Sequence, residues 1–472
     1  MIVRRTFLPL LAAASVSWAA FSSEAQAGEF RVGAAQVDIT PKEGAPLAGY
    51  YQFRAAKGAL DPIYSRAVVV EQDGELAAFV VLDLISTTRA MVDSSRKLIA
   101  EQHGIPSERV MISATHTHTG PQLIRGSMMD DLTKVNTPPG QEYNGGLPAL
   151  VSQSVGEAKT KLAAAKASAT VGKAEGISFN RRAIGKDGSL IWQPGKLDPR
   201  VLKPAGPIDP DLGLLVFEAK ESRPAPLAAY VNFAMHPTSI GGGTRISADY
   251  PGALCRILSE RRGKEMITIF ANGCCGNINH NNYMTDTPRQ SGVAEANRLG
   301  SVLADVAEKS WPDLKALTLR APRSKSVRVV LPRRSFTEEQ IAKARDVVAR
   351  MATEKLGTVP MAEAFCTLDT VNLKDKPLEA EVQVITFSDE LAIVSLPGEI
   401  FVELGLAIKA ASPYKHTFIA ELANGSIGYI PNREAYPQGN YEVVSARCEV
   451  GSGEKLVETA LSLLKELHGG GS

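Results

Sequence analysis

Histidine is scarce in this chain, with seven among 472 residues, and cysteine is scarcer, with five: Cys255, Cys274, Cys275, Cys366 and Cys448. An odd cysteine count leaves at least one thiol unpaired within a monomer. The adjacent Cys274 and Cys275 bridge each other only with strain, so a pairing of one of them with Cys448 is the disulfide left open. Charge of one sign is also lacking. The net charge is +1 and no basic run stands out, which removes the electrostatic footprint of a nucleic-acid binder. Beyond the N-terminus no apolar run is long enough to span a membrane. No amphipathic, aromatic-rich stretch offers itself for docking on a lipid surface. What remains is 44% hydrophobic and 22% charged, an ordinary globular composition long enough for one large domain or two moderate ones with a sizeable core.

The N-terminus reads as a targeting segment. Arg4-Arg5 precedes Thr6-Phe7-Leu8 and an apolar stretch from Leu8 to Ala20, and Ala25-Gln26-Ala27 supplies a small-residue cleavage site. Residues 1–27 therefore read as a signal peptide, and the mature chain is expected to begin near Gly28 in the periplasm or outside the cell. The paired arginines resemble a twin-arginine signal, with ordinary Sec export as the alternative. At the other end, Gly469-Gly470-Gly471-Ser472 reads as a flexible tail.

Between these ends strand and helix signals alternate, which predicts an α/β fold with mixed sheets flanked by helices. Strands are expected over 30–37, 67–72, 76–84, 110–112, 212–218, 228–234, 266–271, 379–387 and 391–396. Asp73-Gly74 marks a hairpin between the second and third, and Lys186-Asp187-Gly188-Ser189 another. Helices are expected over 88–103, 147–166, to about 262 after Asp249, 337–355 and from 452 to about 468, with Asp249 as a cap. Residues 129–146 read as a long loop. The stretch 311–378 is the least informative, and reads as an insertion covering the site.

The scarce histidines are spent in a telling place. Val110-Met111-Ile112 leads into Ser113-Ala114-Thr115-His116-Thr117-His118-Thr119-Gly120-Pro121, and strand alternation, if it continued that far, would put His116 and His118 on one side. Imidazole is the commonest zinc ligand and the commonest general base near neutral pH. A second buried strand ends at His236-Pro237-Thr238-Ser239, and a third delivers Asn272-Gly273-Cys274-Cys275-Gly276-Asn277-Ile278-Asn279-His280. Taken singly, each has a plain structural explanation: a satisfied loop histidine pair, a helix N-terminal carboxylate at Glu399, a strand-end charge at Arg181. His103, His416 and His468 sit in no motif.

Together these stretches resemble the neutral ceramidase family. The 113–121 segment, Asn180-Arg181, His236-Pro237-Thr238-Ser239, Pro397-Gly398-Glu399, Gly428-Tyr429-Ile430 and Tyr441-Glu442 occur in that family's order, from about Val32 to Leu464. The resemblance implies one metallohydrolase domain over 28–468. It also implies hydrolysis of an N-acyl amide, with a small-molecule or lipid-like amide as substrate. It implies one zinc ion held by His116, His236, Glu399 and, more weakly, Tyr429, for which Tyr436 and Tyr441 are nearby rivals. His118 would face the substrate and bound water, and Arg181 would hold a polar group of the substrate. Two imidazoles and a carboxylate with an open position are a common hydrolytic zinc set. His118 is placed to move a proton, and Tyr441 or Tyr429 to donate to a tetrahedral intermediate.

One departure matters. Where ceramidases carry a serine followed by proline, this chain has Asn279 and His280. A serine nucleophile is unsupported, and metal-activated water fits better. Asn279 would then hydrogen-bond substrate, and His280 would be a second proton-transfer group or a further ligand. Family members usually carry a C-terminal β-sandwich as well, for which 472 residues leave no room. The alternatives are a zinc hydrolase of a non-lipid ester, lactone or small amide, and a non-catalytic binding protein on the same fold.

Overall fold

The computed structural model describes residues 1–3, 28–220, 226–351 and 353–470. Most of the expected signal peptide (4–27), and Gly471 and Ser472 of the tail, lie outside the described residues.

The chain repeats one plan three times. Strands Arg31–Asp38, Tyr64–Gln72 and Glu75–Leu82 run antiparallel. Helix Arg89–His103 then crosses over to Val110–Ala114, which lies parallel to the third strand. Strands Ala163–Lys173, Asp211–Ala219 and Pro226–Phe233, helix Asp249–Arg262 and strand Ile267–Asn272 do the same. So do Leu319–Leu331, Leu378–Ser388 and Leu391–Ser395, helix Val402–Ala411 and strand His416–Ala420. The first two units join through Arg31–Val32 and Ala163–Ala164 into a nine-stranded sheet, and the third forms a four-stranded sheet.

The two sheets pack face to face. Phe79, Phe217 and Tyr230 of the large sheet meet Ile385, Phe387, Ile393 and Phe418 of the small one. Helices Arg89–His103 and Pro138–Thr160 cover half of the large sheet's outer face, and Asp249–Arg262 and Val293–Ser310 the other half. Helices Val402–Ala411 and Ser452–Gly469 cover the outer face of the small sheet. The result is a four-layered α/β/β/α molecule. Parallel pairs end the sequence of each unit, so each unit sends two loops out at the carboxyl ends of neighbouring strands, where α/β folds place ligands.

Those loops hold one another. Asn424 N–H donates to Ile112 O (2.8 Å), Glu421 N–H to Asn272 O (2.9 Å), Leu422 N–H to Gly398 O (3.2 Å) and His116 N–H to Leu84 O (2.9 Å). The Asn272 side-chain amide donates to Thr115 O (3.1 Å). All three units therefore contribute to a single junction.

Several expectations are corrected. Residues 129–146 are not a loop: helix Met128–Thr133 is followed by helix Pro138–Thr160, whose first turn begins with Pro138-Pro139. Proline there lacks only an N–H that a first turn leaves unbonded anyway. The helix expected to reach 166 stops at Thr160, and Ala163–Lys173 is a strand. Its alanine-rich sequence favours helix locally, but the gap between Arg31–Asp38 and Asp211–Ala219 imposes pairing on both edges. Strand Leu319–Leu331 and helix Thr358–Asn372 occupy the stretch that carried least signal. Helix Glu338–Arg350 starts as expected, with Thr337 and Gln340 forming a capping box. Asp249 does not cap in the usual way. Ala248 is the N-cap, and Asp249, at φ +58°, accepts the N–H of Ile240 and Tyr250, tying the segment after His236 to the helix. The tail is helical to Gly469. All five cysteines are buried free thiols, so the disulfide to Cys448 does not form.

Candidate metal site

Val110–Ala114 stops two residues short of His116. His116 itself takes φ +76°, a left-handed turn unusual for a non-glycine residue. It is this turn, not strand alternation, that folds His118 back beside His116. Nε2 of the two rings lie 3.3 Å apart. Gly49 makes room for the turn: at φ +101°, a Cβ there would lie 2.6 Å from His118 O. His236 follows Pro226–Phe233, and Glu399 begins the two-residue strand Glu399–Ile400, paired in parallel with Tyr429–Ile430.

These residues converge. Glu399 Oε2 is 3.3 Å from His116 Nε2 and 3.2 Å from His236 Nε2, and Tyr429 Oη is 3.4 Å from His236 Nε2. The other nitrogen of each ring faces a backbone carbonyl: His116 Nδ1 to Ile85 O at 2.6 Å, His236 Nδ1 to Cys275 O at 2.7 Å, His118 Nδ1 to Gly49 O at 3.2 Å. A carbonyl only accepts, so each Nδ1 carries the proton and each Nε2 presents a lone pair. His116, His118 and His236 thus form a buried group able to hold a metal ion.

Electrostatics agree. Burial, with Arg181 and His116 adding to it, lowers His236 to about 3. Burial and the two neighbouring imidazoles lower His118 well below its ordinary value. Burial alone would raise Glu399, but His116 and His236 outweigh it and keep the carboxylate ionised. Burial and then Glu399 raise Tyr429 far above 10, so the phenol keeps its proton. Glu399 Oε2, buried and without a hydrogen-bond partner, faces the Nε2 atoms of His116 and His236, a donor set of the kind that holds a metal cation.

Arg181 stands behind Tyr429. Its Nη2 donates to Tyr429 Oη (3.0 Å) and Gly276 O (2.8 Å), and its Nε to Glu442 Oε1 (2.8 Å). Glu442 is fully buried and also accepts from Arg182 (2.7 Å) and Trp192 (3.0 Å). Tyr441 stacks on Trp192 and meets Tyr429 edge-on. The rival Tyr436 points elsewhere, donating to Cys448 O (2.9 Å).

Asn279 and His280 are not brought to the histidine cluster. Pairing of Ile278–Asn279 with Phe179–Asn180 directs this loop into a second cavity of about 650 Å³, which Arg181 also lines. Asn279 Oδ1 is occupied by Asn281 N–H (2.9 Å). The cavity over the histidines is smaller, about 140 Å³, and Tyr50, Tyr51, Arg125, Phe365, Tyr441 and Arg447 are among its walls. Of these the sequence singled out only Tyr441 as functional; Tyr50-Tyr51 stood out merely as aromatics in a turn, and Arg125 and Arg447 carried no local signal.

The model of the neutral/alkaline non-lysosomal ceramidase N-terminal domain matches residues 30–389. The chain belongs to that family. A neutral ceramidase from Pseudomonas aeruginosa has the same fold, with a TM-score of 0.72 at 21% identity over 94% of this chain and 75% of that one. A ceramidase solved in complex with C2 gives 0.74 at 19% identity, over 94% and 76%. No curated protein matches the sequence. Family membership implies hydrolase chemistry, and the α/β fold expected from the sequence is the one observed. Glu399, Tyr429 and Tyr441 lie beyond the matched residues, and the third unit's strands and loops bring them in.

Proposed function

We propose that this chain is an exported zinc-dependent amidase that cleaves an N-acyl C–N bond with metal-activated water. The observation that carries it is the convergence of His116 Nε2, His236 Nε2 and Glu399 Oε2, with Tyr429 Oη and His118 Nε2 beside them, on one small space. A tetrahedron with bonds of about 2.0 Å has edges of about 3.3 Å, and the spacings of 3.2–3.4 Å between these atoms support zinc as the occupant. When bound, zinc polarises the carbonyl and makes hydroxide available near pH 7.

The chain's own residues do the rest. His116, His236 and Glu399 would hold the ion, with Tyr429 as a weaker, protonated fourth. His118 is neutral, and takes a proton at Nε2 and returns it to the leaving amine, the role of a general base and then acid. Its Nδ1 bond to Gly49 O fixes the tautomer. Arg181, aligned by Glu442, orients Tyr429 and offers positive charge behind the developing oxyanion. Tyr441 closes the wall beside them. Asn279 and His280 belong to the neighbouring cavity and take no part in bond cleavage. Export rests on residues 1–27. A lid role narrows from 311–378 to helix Thr358–Asn372, which puts Ala362 and Phe365 in the cavity wall, because Leu319–Leu331 is a strand of the small sheet.

The test is hydrolysis of N-acylsphingosine and of short N-acyl amides by purified mature protein, with and without a chelator, alongside metal analysis. Chelator-sensitive release of amine is expected. Zinc-loaded protein that cleaves no amide or ester would overturn the reading.

A further inference from the structure

Two arginines share the small cavity with the histidine cluster. Arg447 is partly committed: its Nη2 donates to Asp369 Oδ2 at 3.1 Å. Its Nη1 lies over the backbone beside Tyr429, 2.7 Å from where a Cβ on Gly428 would sit. Arg125 is not committed to any carboxylate. Its only side-chain hydrogen bond among the described residues is to Ser86 Oγ, and its Nε is buried without a partner. The nearby Asp130 forms no ion pair with the guanidinium. That carboxylate takes the backbone N–H of Arg125 (3.0 Å) and Gly126 (2.7 Å), which pins the loop that presents the guanidinium.

Arg125 is half-buried in the cavity wall, and a half-buried guanidinium without a carboxylate partner favours an anionic group that completes it. Burial and the repelling Arg447 disfavour the Arg125 cation and outweigh the attraction of Glu399, Asp130 and Asp369, so a negative group entering between the two arginines stabilises them. A ceramide carries no charge at its reacting end and offers the arginines only neutral hydroxyl and carbonyl acceptors.

Resting on the amidase reading above, we infer that the substrate is a small amide bearing a carboxylate, recognised by Arg125 and Arg447 beside the histidine cluster. Guanidinium binds carboxylate through two parallel N–H donors, which gives orientation as well as affinity. The carboxylate sits on the amine side, as in an N-acyl amino acid, or on the acyl side, as in an N-succinyl amine.

Matched pairs separate these sources. Binding of N-butyrylglycine and N-butyrylglycinamide, and of N-propylsuccinamic acid and its methyl ester, is measured by titration calorimetry on zinc-loaded mature protein. Turnover of each is followed separately. We expect the acid of one pair to bind about tenfold or more tightly than its neutral partner. Arg125→Gln and Arg447→Gln should each shrink that ratio toward one, and Arg125→Lys should restore part of it. Equal binding within both pairs would overturn the inference. So would a preference that survives in both glutamine variants, because the metal would then be its source. Selective binding without turnover of any amide would instead count against the amidase reading.

Discussion

At the scale of the residue, function turns on which atom of each ring points inward. Three backbone carbonyls, Ile85 O, Gly49 O and Cys275 O, set the tautomers of His116, His118 and His236. His116→Ala and Glu399→Ala are expected to lose bound metal while keeping wild-type circular dichroism, with elemental analysis as the check. Full occupancy in both would remove the site. His118→Ala is expected to lower turnover by about 10²-fold or more, with less loss of metal than His116→Ala. Single-turnover rates on metal-loaded protein distinguish a proton-transfer role from a ligand's.

At the scale of the element, buried charges lock helices and strands into place. Glu442, in the short helix Tyr441–Val444, receives both Arg181 and Arg182. Replacing it by alanine leaves two buried guanidinium groups unpaired. A loss of about 3–5 kcal/mol is expected, read from the urea midpoint. Glu381, on strand Leu378–Ser388, binds Arg89 (2.5 Å) and Arg96 (2.9 Å) of helix Arg89–His103, joining the small sheet to the first unit. Burial opposes its ionisation, but Arg96 and Arg89 prevail and hold it below the ordinary 4.5. A carboxylate depressed on folding stabilises the protein above its unfolded value and loses that contribution as pH falls through the folded one. Melting temperature should therefore drop as pH decreases below about 4.5, and Glu381→Gln should flatten that limb. An unchanged acid limb would show that the pair contributes little.

At the scale of the molecule, the site belongs to three units at once. His116 and His118 come from the first, His236 from the second, Glu399 and Tyr429 from the third. The family match ends at 389, yet the small sheet's third strand, Leu391–Ser395, and its edge strand, His416–Ala420, follow it, with Ile393 and Phe418 in the core between the sheets. A chain cut after residue 389 is expected to be insoluble or molten and to bind no metal specifically. Cooperative thermal unfolding of that fragment would show that the first two units fold alone.

The sequence by itself determined the elements and the cast of chemistry. Apolar runs and Asp73-Gly74 announced the first hairpin, and the apolar stripe after Thr337 announced a helix, because these signals are local and depend on backbone preferences; the metal set was legible only through the resemblance that several motifs carry together. Tertiary structure decided the rest. It turned the alanine-rich 163–173 into a strand through pairing on both edges, and swung His118 beside His116 through a left-handed residue. It sent Asn279 and His280 to another cavity through the pairing of Ile278–Asn279. It set Arg125 and Arg447, 322 positions apart in the chain numbering, against one small space. Contacts of that kind are fixed by how sheets pack and loops cross, which no window of neighbouring residues contains.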